Sequence, residues 1–443
     1  MAWGSSSLRS CTSLWERLER NDPSLKDLFI LPTKNVTKAD WERCIRALLL
    51  AHAQPRHLES IHASGHAIDL DSLQQLSSAL HGTSLQVPWK EIAIGDSKLG
   101  DEGVRTLVAT WKINSQIACL DLSYKNLSPS GWQSLERWAA TSEYLTKLDL
   151  SRNPDLVKDL EADELLGHGS ASFPALQEIN LSECNLEGEA GAALVSLFAC
   201  GPKLRILQLG HNTLGPSVSK CLTRLSPSVI ELSLTNCGLT DKVLQTLVPS
   251  LSKLQELETL DLSRNALTAA GATLVAKGLA EGFGKLATLN LSGNALQGEG
   301  VKALIQQGCQ IRSNQPALVL LDLSHTQCSA ESARVAIASS GVQNLRLFDN
   351  GFGSDGLAQL GDTLQGGHAT MYSLDVAGNG ANEEAVVTFL RGLLDTSAGF
   401  ESVLKTVVVG GNQGGPALEE LIQQIKSVRP GIDIARDRAR KQS

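Results

Sequence analysis

The chain of 443 residues is 42% apolar and 4% aromatic, and it carries 39 basic against 47 acidic side chains. This much apolar surface excludes a wholly disordered chain, and the low aromatic content means that leucine, valine and alanine fill the core. The formal net charge of −8 argues against nucleic acid as a partner, because proteins that bind nucleic acid usually carry a basic excess.

The amino-terminal segment lacks the apolar core of a secretory signal. No run of about 18 apolar residues occurs, so we expect no membrane insertion. The nine cysteines are odd in number, widely spaced and free of any Cys-x-x-Cys pair, which argues against a disulfide framework or a zinc site. These features predict a soluble protein of a reducing compartment, the cytoplasm or the nucleus.

The first element in chain order is an amino-terminal cap over residues 1–24. Residues 14–20 have an amphipathic helical pattern, and residues 21–25, Asn-Asp-Pro-Ser-Leu, form a turn that leads into the first strand. Atypical ends are expected where similar units stack, because a terminal unit must present a polar outer face. This cap is similar to that of tropomodulin-type repeat domains, which carry the same kind of Asn-Asp-Pro-x-Leu entry.

Residues 25–430 repeat the frame L-x-x-L-x-L-x-x-N-x-L, which is clearest over residues 257–267. We call its fourth position the marker position. About fourteen units occur at a mean interval of about 29 residues, which indicates a repeat architecture. Their marker residues are Leu28, Ile61, Ile92, Leu120, Leu148, Ile179, Leu207, Leu232, Leu260, Leu289, Leu321, Leu345, Leu374 and Val407.

The frame predicts its own local structure. L-x-L predicts a short strand whose leucines point to one side while the residue between them points to the other. The second half of each unit has helical spacing, as in residues 101–108. Strand, turn and helix in this order predict an α/β solenoid with a parallel sheet on the concave face and helices on the convex face. Residues 431–443 are predicted to add a closing strand and a basic tail, and no linker divides the chain, so we expect one domain.

This frame is that of the leucine-rich repeat, and its long period resembles the ribonuclease-inhibitor-like subfamily. The resemblance covers nearly the whole chain and implies a horseshoe-shaped solenoid. Leucine-rich arrays are mostly binding scaffolds, so the resemblance also implies a protein without catalytic activity. Fold alone does not name a partner.

The ninth position of the frame, the asparagine slot, holds a polar side chain in most units. We expect its amide to hydrogen-bond backbone groups of the turns, because leaving such groups buried and unpaired costs about 1–3 kcal/mol each. Cys184, Cys237 and Thr326 stand in the slot as smaller donors, whereas Ser97 and Lys125 break the pattern and predict looser stacking there. The asparagines are Asn153, Asn212, Asn265, Asn294, Asn350, Asn379 and Asn412.

Motifs that suggest chemistry are weak. Residues 351–356 match G-x-G-x-x-G, but other units have a glycine at the position of Gly356, so a repeat feature explains it better than a dinucleotide site. His57, His62 and His66 cluster without ligands at metal spacing. No catalytic triad, nucleophile elbow or Walker sequence occurs. We therefore expect no enzyme, no cofactor, no metal and no small-molecule substrate.

The residue after each marker, which forms the outward row, and the residue three positions further on, which forms the turn row, are the candidate binding residues. Aspartate is the recurrent residue in the outward row. One interpretation is that Leu-Asp-Leu-Ser is only a common sequence for this kind of strand. The other is that the aspartates form a concave wall that binds a protein partner with basic groups. The candidates are Asp121, Asp149, Asp261, Asp322, Arg346 and Asp375 in the outward row, and Tyr124, Arg152, His211, Arg264 and His325 in the turn row.

The leading hypothesis is a non-catalytic protein-interaction scaffold. Ran GTPase-activating proteins resemble the chain in repeat type, which implies a catalytic arginine in an early loop and an acidic carboxyl-terminal segment; no arginine matches and the tail is basic. The cap favours a tropomodulin-like, actin-associated role, although the actin-binding half of that family has no counterpart. All seven tryptophans lie in the first third of the chain, where they either fill space between helices or form a docking patch.

Overall fold

A computed structural model describes residues 12–50, 57–84, 88–111, 115–162, 165, 173–310, 316–339, 341–365, 370–394 and 403–436. Two compact units divide the chain, unit 1 over residues 1–228 and unit 2 over residues 229–443. Both units have the same organisation, in which short strands alternate with helices.

The strands of unit 1 pair in parallel and in chain order, from β1 to β7. They are β1 Asp27–Phe29, β2 Ser60–Ser64, β3 Glu91–Gly95, β4 Cys119–Asp121, β5 Lys147–Asp149, β6 Glu178–Asn180 and β7 Ile206–Gln208. The helices in the described part of this unit are α1 Thr12–Glu19, α2 Lys38–Leu50, α3 Leu70–Ser84, α4 Gly100–Ala109, α5 Pro129–Ala139, α6 Gly188–Ala199 and α7 Ser217–Leu222.

Unit 2 continues the pattern with parallel strands from β8 to β15. They are β8 Glu231–Ser233, β9 Thr259–Asp261, β10 Thr288–Asn290, β11 Leu318–Asp322, β12 Val342–Arg346, β13 Ser373–Asp375, β14 Thr406–Val408 and β15 Asp433–Ala435. Its helices are α8 Asp241–Leu251, α9 Ala269–Glu281, α10 Gln297–Ala303 with a π-helical continuation Leu304–Cys309, α11 Ala330–Ile337, α12 Gly353–Gln359, α13 Glu383–Arg391 and α14 Pro416–Val428, with 3₁₀ turns at Gly361–Leu364 and Gly392–Leu394.

The register of the strands confirms the frame. Each marker residue is the Cα partner of the next marker within its unit, from Leu28 to Leu207 and from Leu232 to Val407. Every marker side chain is at most 1% exposed. Because burying one such side chain stabilises a protein by about 1.5–3 kcal/mol, the repeated leucine decides which side of every strand faces the helices.

The asparagine slot has the predicted role. Asn153 Oδ1 accepts hydrogen bonds from the N–H groups of Lys125 and Leu127 at 3.0 Å each, and its Nδ2 donates to the carbonyls of Leu122 and Leu150 at 3.0 and 2.8 Å. One amide therefore ties two successive repeats together. The same pattern recurs at Asn212, Asn265, Asn294, Asn350, Asn379 and Asn412.

Smaller residues in the slot still serve as donors. Cys184 Sγ lies 3.1 Å from the Leu150 carbonyl, and Thr326 Oγ1 donates to the Leu323 carbonyl at 2.7 Å. Burial raises the pKa of Cys184 to about 12, so its thiol keeps the proton that it donates.

The described residues at the two ends of the chain contain helix α1 and strand β15. Helix α1 precedes a turn in which Asp22 Oδ1 accepts the Ser24 N–H at 2.9 Å and Arg17 pairs with Asp22 at 2.8 Å. At the other end, Ile434 of β15 pairs with Val407 of β14. The basic tail after residue 436 lies outside the described residues.

Candidate functional site

The candidate residues lie on the side of the strands opposite the buried marker residues, which we call the exposed face. Within unit 1, Asp121 and Asp149 are Cα partners. Within unit 2, Arg346 is the Cα partner of both Asp322 and Asp375. The structure therefore brings the outward-row candidates together as neighbours within each unit, while Asp261 is separated from Asp322 by Asn290.

The outward aspartates have a structural role that the sequence reasoning missed. The Oδ1 atoms of Asp121, Asp149 and Asp261 each accept the N–H of the residue two positions later at 2.8 Å. Asn180 and Asn290 do the same at 3.0 Å. This contact fixes the turn where the strand ends, and the recurrence of Asp or Asn at one position was the signal for it. The fold itself therefore favours aspartate here.

The second carboxylate oxygen contacts a neighbouring strand. Asp149 Oδ2 accepts from Asn180 Nδ2 at 3.1 Å, and Asp261 Oδ2 accepts from Asn290 Nδ2 at 2.9 Å. Asp121 and Asp149 remain half-buried, so their charges still reach solvent. These contacts tie adjacent repeats together on the exposed face.

Two of the aspartates do not face water. Asp322 and Asp375 are each only 7% exposed, although they occupy the outward position of their strands. For Asp322 the cause is Arg346 on the next strand, whose Nη1 lies 3.3 Å from Asp322 Oδ2. This long cationic side chain covers the carboxylate while it neutralises it.

The turn row has an unusual backbone. Eight of its side chains are exposed, and each belongs to a residue whose φ lies between 50° and 60°, in the left-handed region. This conformation costs an ordinary residue about 1–2 kcal/mol relative to the right-handed one. The residues are Tyr124, Arg152, Glu183, His211, Asn236, Arg264, His325 and Asp349.

Glycine would remove this strain, and the chain does place it at four equivalent positions, Gly65, Gly293, Gly378 and Gly411. Elsewhere the row keeps large or charged side chains that contribute little burial. Tyr124, for example, is 63% exposed. Strain retained at an exposed position points to a role in function.

An ion pair and a histidine–carboxylate contact cross from repeat to repeat along the exposed face. Arg152 Nε lies 3.1 Å from Glu183 Oε1, and His325 Nδ1 lies 3.1 Å from Asp349 Oδ2. Among the described residues, no polar partner of the Arg264 side chain is found. Pairs this exposed contribute little stability, typically less than about 1 kcal/mol, so they orient side chains rather than hold the fold.

A groove with a volume of about 900 Å³ lies beside the ends of β5, β6 and β7 in unit 1. It is formed by residues 154–162, 185–190 and 213–217. Acidic side chains outnumber basic ones in its lining, which contains Asp155, Asp159, Glu161, Glu187 and Glu189 with Lys158. The groove therefore extends the acidic character of unit 1 beyond the strands.

Comparison with known proteins agrees with this geometry. A family model described as "Leucine Rich repeat" matches residues 253–276 and 285–304, which contain β9 and β10. Ribonuclease inhibitor of Sus scrofa is 28% identical over 237 residues, which cover 52% of this chain and 51% of that protein. The chain therefore contains leucine-rich repeats, and it is similar to ribonuclease inhibitor over about half of its length.

Further relatives are larger proteins. NACHT, LRR and PYD domains-containing protein 12 of Mus musculus is 34% identical over 207 residues, which cover 45% of this chain but 19% of that protein. The leucine-rich-repeat chain thus spans about half the length, or less, of these curated relatives. Among solved structures, a chain in the crystal structure of the Rad7 and Elc1 complex in yeast aligns with a TM-score of 0.46 at 14% identity, covering 99% of both chains. The tropomodulin-like cap stays a prediction.

Lys125 occupies the asparagine slot of its repeat, but its side chain makes different contacts from those of an asparagine. Its side chain is buried, its Nζ donates to Ser64 Oγ at 3.3 Å, and Ser64 Oγ donates to Asp121 Oδ2 at 3.4 Å. Burial lowers the pKa of Lys125, and the charges of Asp121, Asp96 and Asp149 oppose part of that change. Asn153 of the next repeat still binds the turn at Lys125, so looser stacking towards the preceding repeat stays a prediction.

The tryptophans fill space between elements. Of the seven, Trp3 lies outside the described residues and the other six are at most 6% exposed. The tilted rings of Trp111 and Trp138 are in contact with centroids 4.8 Å apart, and the ring centroids of Trp132 and Phe198 lie 5.5 Å apart. The docking-patch alternative is therefore wrong for these six.

The other motifs also have structural explanations. A Cβ atom at Gly356 would lie 3.2 Å from Phe352 and 3.3 Å from Ala330, so this glycine allows close packing. His66 is buried with its Nε2 3.4 Å from the Ile30 carbonyl, and His62 packs on Phe29. Within the described part of the chain, no group of three or more potential ligands is placed for a metal ion, and no helix is long and apolar enough to cross a membrane.

Proposed function

We propose that this leucine-rich-repeat protein is a non-catalytic scaffold that binds a protein partner on the exposed face of its strands. The observation that carries the proposal is the turn row. Eight exposed side chains adopt a strained left-handed backbone that stability alone would assign to glycine. The backbone strain of these eight residues is explained by contacts that their side chains form only in a complex.

The partner in contact with unit 1 is basic. Asp121 and Asp149 expose part of their carboxylates between β4 and β5, and the acidic groove lies beside the ends of β5 to β7. Lys125, which interacts with both aspartates, is buried and directs no charge to solvent, and Lys147, which interacts with Asp149, is paired with Glu178. Neighbouring strands lie about 4.8 Å apart, well within a Debye length of about 8 Å, so these carboxylates reinforce one another's field.

The test compares matched charge removals on the two sides of unit 1. Asp121→Asn, Asp149→Asn and Glu183→Gln together remove three charges, and the two Asn side chains keep the turn contact that Asn180 already makes. The control removes three exposed carboxylates from helices, Glu16→Gln, Glu42→Gln and Glu102→Gln. Each immobilised variant captures partners from cell extract, and bound proteins are cross-linked and identified by mass spectrometry.

The proposal expects a captured protein that cross-links near β4 to β6, is lost at least tenfold from the exposed-face variant and is retained by the helix-side variant. Association should also slow as salt rises, since steering by opposite charge is screened. Loss from the helix-side variant alone would place the partner on the helices and overturn the proposal.

A further inference from the structure

The first strand of unit 1 places large apolar side chains on the exposed face, and the aspartates of β4 and β5 stand in the same outward row. We infer that the exposed face of β1 to β5 binds an extended segment of the protein partner in which an apolar and a basic side chain lie four residues apart. This inference rests on the proposed scaffold function and specifies what the partner presents to unit 1.

Phe29 and Leu31 form the apolar part of this surface. Leu28 and Ile30 are at most 2% exposed, whereas Phe29 is 58% exposed. Leu31 is 50% exposed, so burial alternates along the chain and the two exposed side chains point away from the core. The other outward residues of unit 1 are small or polar, which confines the apolar part to β1. Neighbouring apolar side chains that both reach solvent mark an interaction surface, and phenylalanine is enriched at the centre of interfaces.

His62 of β2 supports the apolar part from one side. The rings of Phe29 and His62 lie with their centroids 5.5 Å apart, and His62 Nδ1 lies 3.4 Å from Glu91 Oε1 on β3. These contacts hold the Phe29 ring in place while more than half of its side chain stays open to solvent. An aromatic side chain that is already held in place loses little conformational freedom when a partner packs on it.

Ala93 keeps the path between the apolar part and the aspartates clear. It is the outward residue of β3 and the Cα partner of both His62 and Asp121. Its methyl group is the smallest side chain of the outward row in unit 1, so it does not project between the two parts. One bound segment can therefore contact both of them.

Asp121 and Asp149 form the acidic part. They are Cα partners on adjacent strands, and both are half-buried, so part of each side chain reaches solvent. Lys125 interacts with both but is buried, and Lys147 is paired with Glu178 at 2.6 Å. Two carboxylates thus share one buried ammonium, which leaves an excess of negative charge at this point of the row. A lysine or arginine side chain of the partner complements this excess.

The strand register defines the spacing of the two parts. Successive Cα partners form one row, so strand steps measure the separation directly; they are Phe29, His62, Ala93, Asp121 and Asp149. Three steps of about 4.8 Å place Asp121 about 14 Å from Phe29. An extended segment that crosses the strands rises about 3.4 Å per residue and alternates its side chains, so residues i and i+4 lie about 14 Å apart on one side. The row therefore fits an apolar side chain at Phe29 and a basic side chain at the two aspartates.

The probe is the acetylated and amidated peptide Lys-Thr-Ser-Thr-Leu-Thr-Ser-Thr-Lys, which has a lysine four residues from the leucine in either direction of binding. Three matched peptides replace the leucine by alanine, replace both lysines by glutamine, or move both lysines to two residues from the leucine at the same composition. Binding to the full chain is measured by ligand-observed NMR at low millimolar peptide. We expect the probe to bind at least fivefold more tightly than the alanine and glutamine peptides, and at least threefold more tightly than the shifted peptide.

Variants of the chain assign each contact. Phe29→Ala should weaken binding of the probe at least threefold and leave binding of the alanine peptide unchanged, because the contact that it removes is the one to leucine. Asp121→Asn with Asp149→Asn should weaken the probe at least threefold and leave the glutamine peptide unchanged. Leu50→Ala, which removes an exposed leucine at the end of α2, is the control and should change neither.

The inference is overturned if the probe does not bind the unaltered chain, if the probe and the alanine peptide bind equally, or if Leu50→Ala weakens the probe as much as Phe29→Ala. Sedimentation velocity over a range of protein concentrations tests the other occupant of the apolar part, a second copy of the chain. Self-association that Phe29→Ala abolishes would assign Phe29 to that contact and reject the partner segment.

The peptide result and the partner capture can be told apart. A failed peptide, with capture still lost from the exposed-face variant, would reject the segment and leave the scaffold standing. Capture lost from the helix-side variant alone would reject the scaffold function on which the inference rests.

Discussion

Strands β4–β6 of unit 1 and β9–β13 of unit 2 carry the same two rows of residues, yet they differ in which charged side chains are exposed to solvent. In unit 1 the aspartates stay half-buried and the lysine that faces them, Lys125, is buried. In unit 2 Asp322 and Asp375 are buried and Arg346 is exposed. The burial of each charged side chain, and not the number of acidic and basic residues, decides which charges a partner can contact.

The largest expected effect concerns the buried leucines, which the two regions share. Leu150→Ala in unit 1 and Leu262→Ala in unit 2 both remove a fully buried side chain two residues after a marker. Each should lower the free energy of unfolding by about 2–5 kcal/mol through lost burial and a residual cavity. Denaturant unfolding measures this.

The matched variant is Asp261→Ala, on the opposite side of the same strand as Leu262. It should cost about 1–2 kcal/mol, because it removes the contacts to the Ser263 N–H and to Asn290. Asp261→Asn should cost less, since the amide oxygen keeps the turn contact. Equal losses in the free energy of unfolding for Leu262→Ala and Asp261→Asn would show that the wrong face of the strand has been assigned to the core.

The second prediction concerns the buried cation of unit 1. Lys125→Ala removes a buried side chain and its hydrogen bond to Ser64 Oγ, and it should destabilise the chain by about 1–3 kcal/mol. Thermal unfolding and denaturant titration measure the change. Lys158→Ala, at an exposed position next to Asp155, should leave stability within about 0.5 kcal/mol.

The third prediction separates stability from binding in the turn row. Tyr124→Gly in unit 1 and Arg264→Gly in unit 2 relieve a left-handed backbone, so stability should stay constant or rise by up to about 1 kcal/mol. Partner capture should fall for Tyr124→Gly. Thr288→Gly in β10, where the backbone is extended, should instead destabilise by about 1 kcal/mol. A clear loss of stability at Tyr124 would assign the row to the fold rather than to binding.

The smallest effect is a labelling pattern in unit 1. Cys200 is exposed, whereas Cys184 is buried with its pKa raised to about 12. A thiol reagent at pH 8 should therefore modify Cys200 within minutes and leave Cys184 protected until the chain unfolds, because the thiolate is the reactive form. Peptide mass spectrometry reads both sites. Early modification of Cys184 would show that the slot opens in the folded state.

Much of the fold could be predicted from the sequence. The leucine frame located the marker of every strand from β1 to β14, and the asparagine slot predicted the contacts of Asn153, because these positions recur with a fixed period. Equivalent positions of the repeats lie in the same environment and therefore carry the same residue type. The recurring residue type thus predicts the local structure and its contacts.

The surface could not be predicted in the same way. The frame gives Asp121 and Asp322 the same position, yet a lysine from another repeat position lies near the first and an arginine on the adjacent strand covers the second. Such contacts join residues 24 to 61 positions apart in the chain and differ from unit to unit. The left-handed backbone of Tyr124 and Arg264 left no signal in residue type, because side chains other than glycine occupy it.

The most direct test of the account is radical footprinting of the complex with a captured partner. Tyr124 is 63% exposed on the exposed face, and Tyr144 is 37% exposed in the loop between α5 and β5. Oxidation of each tyrosine is read by mass spectrometry in the free chain and in the complex. We predict that the partner lowers oxidation of Tyr124 several-fold and leaves Tyr144 unchanged. Protection of Tyr144 with full oxidation of Tyr124 would contradict binding on the exposed face.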